Sequence, residues 1–437
     1  MASQAGSISN RLANVLALKK GNFMSNVSQK SPVRKIPLNM TVSDAAAERI
    51  AWIFDTFSRI CVSFSGGKDS TLLLHLTAQE ARQRGKTFSV LFIDWEVQFR
   101  HTINHVEAMR SLYADCIDTF YWVALPITTV NGTSACQPEW TAWQPGVEWV
   151  RQPPQDAIID PQYFAFYTPG MTFEDFIPAF NDWLARQAPI TPTAVLTGMR
   201  ADESLLRFQS ICDRRKARYS PEKPWTTVSM TSGVCTVAPL YDWKTADIWS
   251  WFAHHDALCN PLYQLMFQAG VKPRYMRICE PFGPEQRAGL WLYHVLEPDI
   301  WDRVCQRVSG AHTGELYGAE RNGFYGQGVL VKPDAMTWKA YAMFLLDSLP
   351  PSTAEHYRNK IAIYLQWYRQ RDYPQDIPDC QDKDTGSRDI PSWRRICRTI
   401  LRNDYWCRGL SFSPTRTHHY ERWKKRIQEK RKLWKVL

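Results

Sequence analysis

The residues Val62-Ser63-Phe64-Ser65-Gly66-Gly67-Lys68-Asp69-Ser70 join a short β-rich stretch to a helical one. Residues 60–64 predict a buried strand, and 70–84 carry apolar residues at helical spacing. Two adjacent glycines let the backbone turn sharply with its amides pointing inward, and the hydroxyls of Ser65 and Ser70 add donors. Together with the positive end of the following helix, these groups predict a cradle for an anion that has at least two phosphates.

This glycine-containing string differs from a Walker A motif. Gly67 and Lys68 are followed by Asp69 instead of serine or threonine, and the four-residue spacer between glycines is missing. A tight turn closed by small residues is the structural alternative. The position of the whole string between a buried strand and a buried helix favours a pyrophosphate-binding loop.

Strand and helix patterns alternate on both sides of this loop. Further strands are predicted at 88–93, 119–125 and 194–197, with helices at 101–113 and 173–186. This alternation predicts an α/β fold with a doubly wound parallel sheet, followed by a mainly helical C-terminal region. We expect ligands to bind beyond the carboxyl ends of the strands.

Composition divides the chain into segments, and its net charge of +10 is concentrated near the C-terminus, where 416–435 hold nine Lys or Arg against two Glu. For the N-terminal segment, which lacks acidic residues, we favour a disordered basic arm over a transit peptide. The predicted segments are a basic arm (1–43), a nucleotide domain (44–258) with an inserted Trp/Pro-rich lid or substrate loop (131–170), a helical domain (259–371), an acidic Pro-containing linker (372–391) and a basic tail (392–437).

The composition also limits the class of protein. A chain of 437 residues with 44% hydrophobic content predicts one or two soluble domains. No apolar run is long enough to span a membrane and no secretory signal is evident, so we expect a cytoplasmic protein without a membrane partner. The 11 cysteines contain no C-x-x-C pair. We therefore favour scattered thiols over an iron–sulfur cluster, for which the candidate ligands are Cys279, Cys380, Cys397 and Cys407.

Several motifs resemble known proteins. Ser65–Ser70 resembles the pyrophosphate loop (PP-loop) of the ATP pyrophosphatases, adenine nucleotide alpha hydrolase-like proteins that include phosphoadenosine phosphosulfate (PAPS) reductases and thiolation enzymes for tRNA and DNA. Thr197–Ser204 with Arg207 resembles the arginine-containing loop of the sulfur-assimilation branch, and 239–244 resembles its next element. With 93–98 and 260–263, the pattern over 40–290 resembles a bacterial PAPS reductase-like branch often paired with a ParB-like protein, which implies such a partner.

The loop and this resemblance predict the site residues. The nucleotide-binding residues are Ser63, Ser65, Gly66, Gly67, Lys68, Asp69, Ser70 and Gly198. Lys68 and Asp69 are also candidate catalytic residues, together with Arg200 and Arg207, whose guanidinium groups suit the anionic end of an adenylyl or phosphosulfate group. Ordinary ion pairs with Asp202 and Glu203 are the alternative for these arginines.

Carboxylates near the loop raise the question of a metal ion. Asp69 and Asp94 are predicted ligands of Mg²⁺, whose protein ligands are usually carboxylates combined with substrate phosphates. Glu96 is less well placed than Asp94, which follows the end of a strand. A capping role is the alternative for Asp94 and for Glu96.

The expected ligand is ATP or PAPS. The reductases carry a reactive cysteine in a Glu-Cys-Gly-type motif, and no such string is present here. We therefore predict that ATP is split between its α and β phosphates to adenylate an acceptor, with sulfur transfer to nucleic acid as one candidate. A PAPS reductase-type enzyme is an alternative. Another is a nucleotide-sensing regulator that binds DNA through 416–435, where basic residues alternate with Trp423 and Trp434.

Overall fold

In a computed structural model of the protein, a six-stranded sheet carries at its centre the strand that precedes the PP-loop. The sheet has the order β3-β2-β1-β6-β8-β7, and a separate hairpin pairs β4 with β5. The strands are β1 (Arg59–Phe64), β2 (Phe88–Ile93), β3 (Ile117–Val123), β4 (Thr128–Val130), β5 (Glu139–Thr141), β6 (Thr193–Leu196), β7 (Thr226–Val228) and β8 (Cys235–Val237).

The pairing within the sheet confirms the predicted α/β parallel architecture. β1 pairs in parallel with β2 and with β6, β2 with β3, and β6 with β8. Every residue of β2 is buried, as expected for an inner strand of a parallel sheet. One feature was not predicted: the edge strand β7 is antiparallel to β8.

Helices connect the strands and make up the C-terminal region. They are α1 (Val42–Thr56), α2 (Lys68–Arg84), α3 (Arg100–Leu112), α4 (Phe173–Arg186), α5 (Leu205–Cys212), α6 (Thr245–His255), α7 (Leu262–Gln268), α8 (Trp291–Leu296), α9 (Pro298–Arg307), α10 (Ala311–Tyr317), α11 (Trp338–Ser348), α12 (Pro351–Arg369) and α13 (Trp393–Leu401). No helix among the described residues combines the length and apolarity needed to cross a bilayer.

The structure describes most of the chain beyond the N-terminal arm. The described residues are 37–134, 137–187, 192–213, 216–278, 280–283, 289–317, 330–370, 376–382, 384, 390–402 and 404–412. The described residues from Met40 to Phe412 belong to one compact unit. Most of the predicted arm and the basic stretch 416–435 lie outside the described residues, as does Cys279.

Two hydrophobic cores are present, and their limits differ from the predicted domain boundary at 258. The main core includes the sheet and continues through Leu262, Trp301 and Ala311. The second core is formed by residues of α11, α12 and α13 together with Ile377, Cys407 and Leu410. The first part of the predicted helical domain therefore packs with the nucleotide domain, because α7 to α9 contribute apolar side chains to the same core.

The inserted Trp/Pro-rich segment 131–170 is anchored to the main core, not detached from it as a lid. Trp140 and Trp143 are each only 1% exposed. The indole nitrogen of Trp143 donates to the backbone oxygen of Asp94 over 2.6 Å. The tryptophans that suggested a substrate loop serve here as buried anchors.

The acidic segment 372–391 is also packed at its described residues, in contrast to the predicted solvated linker. Ile377 belongs to the second core. The Asp379 carboxylate accepts from the backbone amides of Trp338 and Lys339 at the start of α11. Asp384, only 1% exposed, accepts from Ser392 over 2.7 Å. The predicted basic tail therefore begins with a buried helix, α13.

Candidate functional site

A cavity of about 790 Å³ opens at the carboxyl ends of the central strands. It is lined by Phe64 at the end of β1 and Ser65 after it, by Ile93 at the end of β2 and by Thr197 after β6. Among the predicted site residues, those lining it are Ser63, Ser65, Gly67, Lys68, Asp69, Ser70, Gly198, Arg200 and Arg207. The strand-end position expected for a ligand therefore coincides with the predicted loop.

The PP-loop is closed by its own serines. The Ser70 hydroxyl accepts from the Ser65 amide over 3.2 Å and lies 3.0 Å from the Ser65 hydroxyl oxygen. It also donates to the Gly67 carbonyl over 3.0 Å. These contacts hold the backbone in a tight turn between β1 and α2.

Two glycines are needed because other parts of the chain approach the loop closely. Gly66 has φ +71°, and a Cβ there would lie 2.9 Å from Cγ2 of Thr102. A Cβ on Gly198 would lie 3.0 Å from both the Asp69 carbonyl carbon and the Ser70 nitrogen. Gly66 therefore permits the turn, and Gly198 lets the loop after β6 pack directly on the PP-loop.

The Asp69 carboxylate lies between two cations. Its Oδ1 accepts from Nε of Arg200 over 2.6 Å, and its Oδ2 accepts from Nζ of Lys68 over 2.9 Å. Arg200 is only 1% exposed and also donates to the Trp243 carbonyl over 3.2 Å. One carboxylate thus positions two cationic side chains beside the loop.

A second group of charges lies on the cavity wall. Nε of Arg207 is 3.1 Å from Oε2 of Glu203, and Nη1 of Arg277 is 3.7 Å from Oε1 of the same carboxylate. Arg277 also donates to the Glu203 carbonyl over 3.3 Å. The ion pair between Arg207 and Glu203, which the sequence left as an alternative, is therefore present, and Arg277 joins it.

Asp94 does not line the cavity with Asp69, and its environment argues against the predicted metal role. Its carboxylate accepts from the indole nitrogen of Trp122 over 2.8 Å, forms an ion pair with Arg151 and accepts from the Glu96 amide. The described residues contain no group of three or more metal-ligating side chains. The oxygens of Asp94 are thus already engaged by donors of the protein.

Glu96, the less favoured metal candidate, is also structural. It is fully buried and accepts from the amides of Trp143 and Val150 over 2.6 and 3.0 Å. Nε of Arg307, on α9, donates to it over 3.2 Å. The Glu96 carboxylate therefore joins the end of β2, the inserted segment and α9.

Several residues that contact the loop or line the cavity were not predicted as site residues, and four of them have polar side chains in notable positions. Tyr263 and Asn260 bond to the PP-loop, Arg277 shares Glu203, and the buried Gln98 lines the cavity. The stretches 93–98 and 260–263 were part of the resemblance, which could have directed attention to Gln98, Asn260 and Tyr263. No pattern pointed to Arg277.

Part of the cavity lining is apolar. The apolar lining residues include an aromatic pair, Trp95 and Phe173, with ring centroids 5.4 Å apart. The apolar lining also includes Leu91, Ile93 and Ile177. The cavity thus combines a polar loop with a surface suited to a flat, weakly polar group.

The described cysteines do not supply an activated thiol to this cavity. Burial raises the pKa of Cys259 to about 12 and of Cys235 to about 11. It also raises the pKa of Cys397 to about 12, and Cys397 and Cys407 pack in the second core, whereas Cys380 is exposed. None of the described lining residues is a cysteine.

Two protein families match different parts of the chain. The family described as Phosphoadenosine phosphosulfate reductase domain matches residues 59–121 and 186–270. The family described as Domain of unknown function (DUF3440) matches residues 270–373 and 370–421. The first match begins at β1 and contains both the PP-loop and the loop of Arg200.

Individual relatives were also found. The chain is 26% identical over 174 residues to an adenosine 5'-phosphosulfate reductase of Allochromatium vinosum, covering 38% of this chain and 57% of that protein. The crystal structure of a PAPS reductase from Candida auris in a phosphate complex aligns with 53% of this chain and 94% of its own, at 16% identity. The TM-score of this alignment is 0.28.

A much stronger similarity extends over almost the whole chain. The chain is 56% identical over 405 residues to the Uncharacterized protein YbdN of Escherichia coli (strain K12), covering 93% of this chain and 98% of that protein. The chain therefore belongs to the YbdN family, and its residues 59–121 and 186–270 match the phosphoadenosine phosphosulfate reductase domain.

Proposed function

We propose that this protein binds ATP in the cavity and splits it between the α and β phosphates, transferring the adenylyl group to an acceptor. The observation that carries the proposal is the position of Lys68 and Arg200, both held by Asp69 at the edge of the PP-loop. An acceptor nucleophile would form a bond to the α phosphorus while the bond from that phosphorus to the bridging oxygen breaks. Pyrophosphate would leave with the electron pair.

Each part of the nucleotide has a matching surface. The amides and hydroxyls of Ser65–Ser70 suit the β and γ phosphates. The apolar wall with Trp95 and Phe173 suits the adenine ring. Lys68 and Arg200 would stabilise the charge that develops on pyrophosphate, which is the main requirement of this kind of transfer.

A magnesium ion at this site would have one candidate ligand from the protein. Asp69 is the candidate protein ligand because it lines the cavity, but the ion would have to replace the Lys68 or Arg200 contact of one of its oxygens. The nucleotide phosphates would supply most of the other oxygen ligands. The ion would neutralise charge on the phosphates when bound. Asp94 is not part of this proposal, because its carboxylate is bonded to Trp122 and Arg151.

Adenylation is favoured over thiol-dependent reduction by the state of the described cysteines. A thiol must ionise to attack sulfur. Burial raises the pKa of Cys61 to about 12 and of Cys259 to about 12, far above neutral pH. The match to a PAPS reductase domain nevertheless supports PAPS as a second candidate ligand. Cys279, which stands between the lining residues Ile278 and Glu280 in sequence, is the thiol to replace in testing reduction.

The direct test is pyrophosphate release from ATP with MgCl₂, in the presence of nucleic acid or cell extract as acceptor sources. We expect release by the wild type and its loss in Asp69→Asn, which keeps the size of the side chain and removes its charge. Asp115→Asn is the matched control, since Asp115 pairs with Arg82 on the surface. Release that depends on added nucleic acid would favour sulfur transfer to that acceptor.

Two other results would favour the alternatives. The first alternative, a reductase, requires three results. PAPS binds, pyrophosphate is not released from ATP under any condition, and Cys279→Ser abolishes the formation of sulfite from PAPS. If nucleotide binds without turnover and deletion of 416–437 removes salt-dependent DNA binding, the protein is a nucleotide-sensing regulator. A ParB-like partner stays a prediction that co-purification would test.

A further inference from the structure

Tyr263, at the start of α7, contacts the N-terminal end of α2, the helix of the PP-loop. Its hydroxyl accepts a 2.8 Å hydrogen bond from the backbone N–H of Lys68, the first residue of α2. The N–H of a first helical residue has no acceptor within its own helix. In phosphate-binding helices such amides point at the anion. The Tyr263 hydroxyl therefore stands within the predicted anion cradle.

The position of this hydroxyl is fixed from several sides. Tyr263 is 4% exposed, and its ring packs edge-on against Trp249 with centroids 5.2 Å apart. A Cβ on Gly67 would lie 3.4 Å from the hydroxyl oxygen, so the loop backbone runs directly past it. The phenol is therefore held against the loop without freedom to turn away.

Asn260, three residues before Tyr263, also bonds to this loop. Its side-chain nitrogen donates to the Gly66 carbonyl over 3.0 Å and to the Thr102 hydroxyl over 3.1 Å. Its side-chain oxygen accepts from the Leu262 amide over 3.0 Å. The start of α7 thus holds the loop at the Gly66 carbonyl and, through Tyr263, at the Lys68 amide.

We propose that Tyr263 is a phosphate-binding residue of this site. Its hydroxyl keeps the Lys68 amide as a donor and gives its own proton to a phosphate oxygen of the bound ligand. A phenol can accept and donate at once, and accepting the amide strengthens the donor. A hydrogen bond to a charged phosphate oxygen is among the stronger kinds. This inference rests on the proposed use of Ser65–Ser70 as a pyrophosphate cradle.

The test is calorimetric titration of the full chain with inorganic pyrophosphate and MgCl₂. Tyr263→Phe keeps the ring against Trp249 and removes only the hydroxyl. We expect its pyrophosphate affinity to fall about tenfold, the size of a charge-assisted hydrogen bond. Binding of adenosine, which has no phosphate, should be the same in both proteins.

Tyr167→Phe is the matched control. Tyr167 is also buried, and its hydroxyl donates to the Pro126 carbonyl over 2.6 Å, but it is outside the described lining of the cavity. Its loss should leave pyrophosphate affinity unchanged while removing one phenolic hydrogen bond. A difference between the two variants therefore reports on the cradle and not on general stability.

Three results would overturn the proposal. Pyrophosphate could bind Tyr263→Phe as tightly as the wild type or more tightly, which is expected if a phosphate displaces the hydroxyl and takes the Lys68 amide. Adenosine affinity could fall as much as pyrophosphate affinity, which would indicate a structural role. The wild type could also bind no pyrophosphate at all.

Pyrophosphate release from ATP, measured in parallel, separates this inference from the proposed function. A wild type that binds pyrophosphate through Tyr263 but releases none from ATP would refute adenylation and leave the role of Tyr263 intact. If Tyr263→Phe releases pyrophosphate from ATP as the wild type does and binds pyrophosphate equally well, the role of Tyr263 is refuted and adenylation is supported.

Discussion

Asp69 binds Arg200 through a 2.6 Å hydrogen bond from Nε to Oδ1, although the two residues are 131 positions apart in the chain. The bond joins the helix after the PP-loop to the loop after β6. Because Arg200 is almost fully buried, the pair is part of the framework of the site as well as of its charge distribution.

Replacing Arg200 should therefore cost more stability than replacing Arg207. We expect Arg200→Leu to lower the free energy of unfolding by about 3 kcal/mol, because Asp69 loses a buried partner. The side chain of Arg207 is 43% exposed, so Arg207→Leu should cost no more than about 1 kcal/mol. Urea denaturation measures both, and equal losses would contradict this account of Arg200.

Gly198 should tolerate no side chain. A methyl group there would press on the backbone of Asp69 and Ser70, so Gly198→Ala should cost about 1–3 kcal/mol and weaken pyrophosphate binding. A methyl group on Gly283 would meet no described atom closer than 3.5 Å. Gly283→Ala should change the free energy of unfolding by less than about 0.5 kcal/mol. Unaltered pyrophosphate affinity in Gly198→Ala would show that the loop can shift without loss.

Gln98 should show opposite effects on stability and activity. It is 5% exposed and lines the cavity, and no donor among the described residues bonds to its Oε1. Gln98→Met keeps the volume and removes a buried polar atom, so the free energy of unfolding should rise by about 1 kcal/mol. Pyrophosphate release should fall if the amide binds the nucleotide or the acceptor. If Gln98→Met lowers the free energy of unfolding instead, the Gln98 amide has a structural partner and this prediction is wrong.

Two buried histidines should make the protein sensitive to mild acid. Burial, with a smaller effect of His75, lowers the pKa of His105 to about 4, and burial also lowers the pKa of His75. In the unfolded chain both would titrate near about 6.5. Between these values the unfolded state binds more protons, so the free energy of unfolding falls as pH drops, by up to about 1.4 kcal/mol per pH unit for each histidine.

Urea denaturation between pH 7 and pH 4.5 measures this slope. His105→Gln should flatten it, because one of the two groups no longer titrates. An equal slope in His105→Gln and the wild type would contradict the role of His105.

The parts of this protein that could be predicted from sequence depend on local patterns. The strand, loop and helix around Ser65–Ser70 follow one another directly, so their periodicity and glycines indicate them without distant information. Asp94 could not be interpreted in this way. It follows a strand as a metal ligand would, but its partner Arg151 lies 57 positions later in the inserted segment.

Composition misled in a similar way at the acidic segment. Six Asp and three Pro within 372–391 are typical of a solvated linker. Asp379 instead accepts from the first amides of α11, and Asp384 binds Ser392 and Arg394. The Asp379 contacts depend on a helix from an earlier part of the chain, and those of Asp384 on the helix that directly follows the segment. No pattern within the segment reveals either.

The Glu96–Arg307 ion pair gives the two family matches of this chain a shared dependence. Glu96 lies in the first part of the reductase match, whereas Arg307 belongs to the match that begins at residue 270. A recombination event at residue 270 would leave a buried carboxylate without its cation unless the incoming segment restored an arginine at the same place. The two matched regions are therefore expected to be inherited together. Replacing either region alone with that of another protein should destabilise the fold.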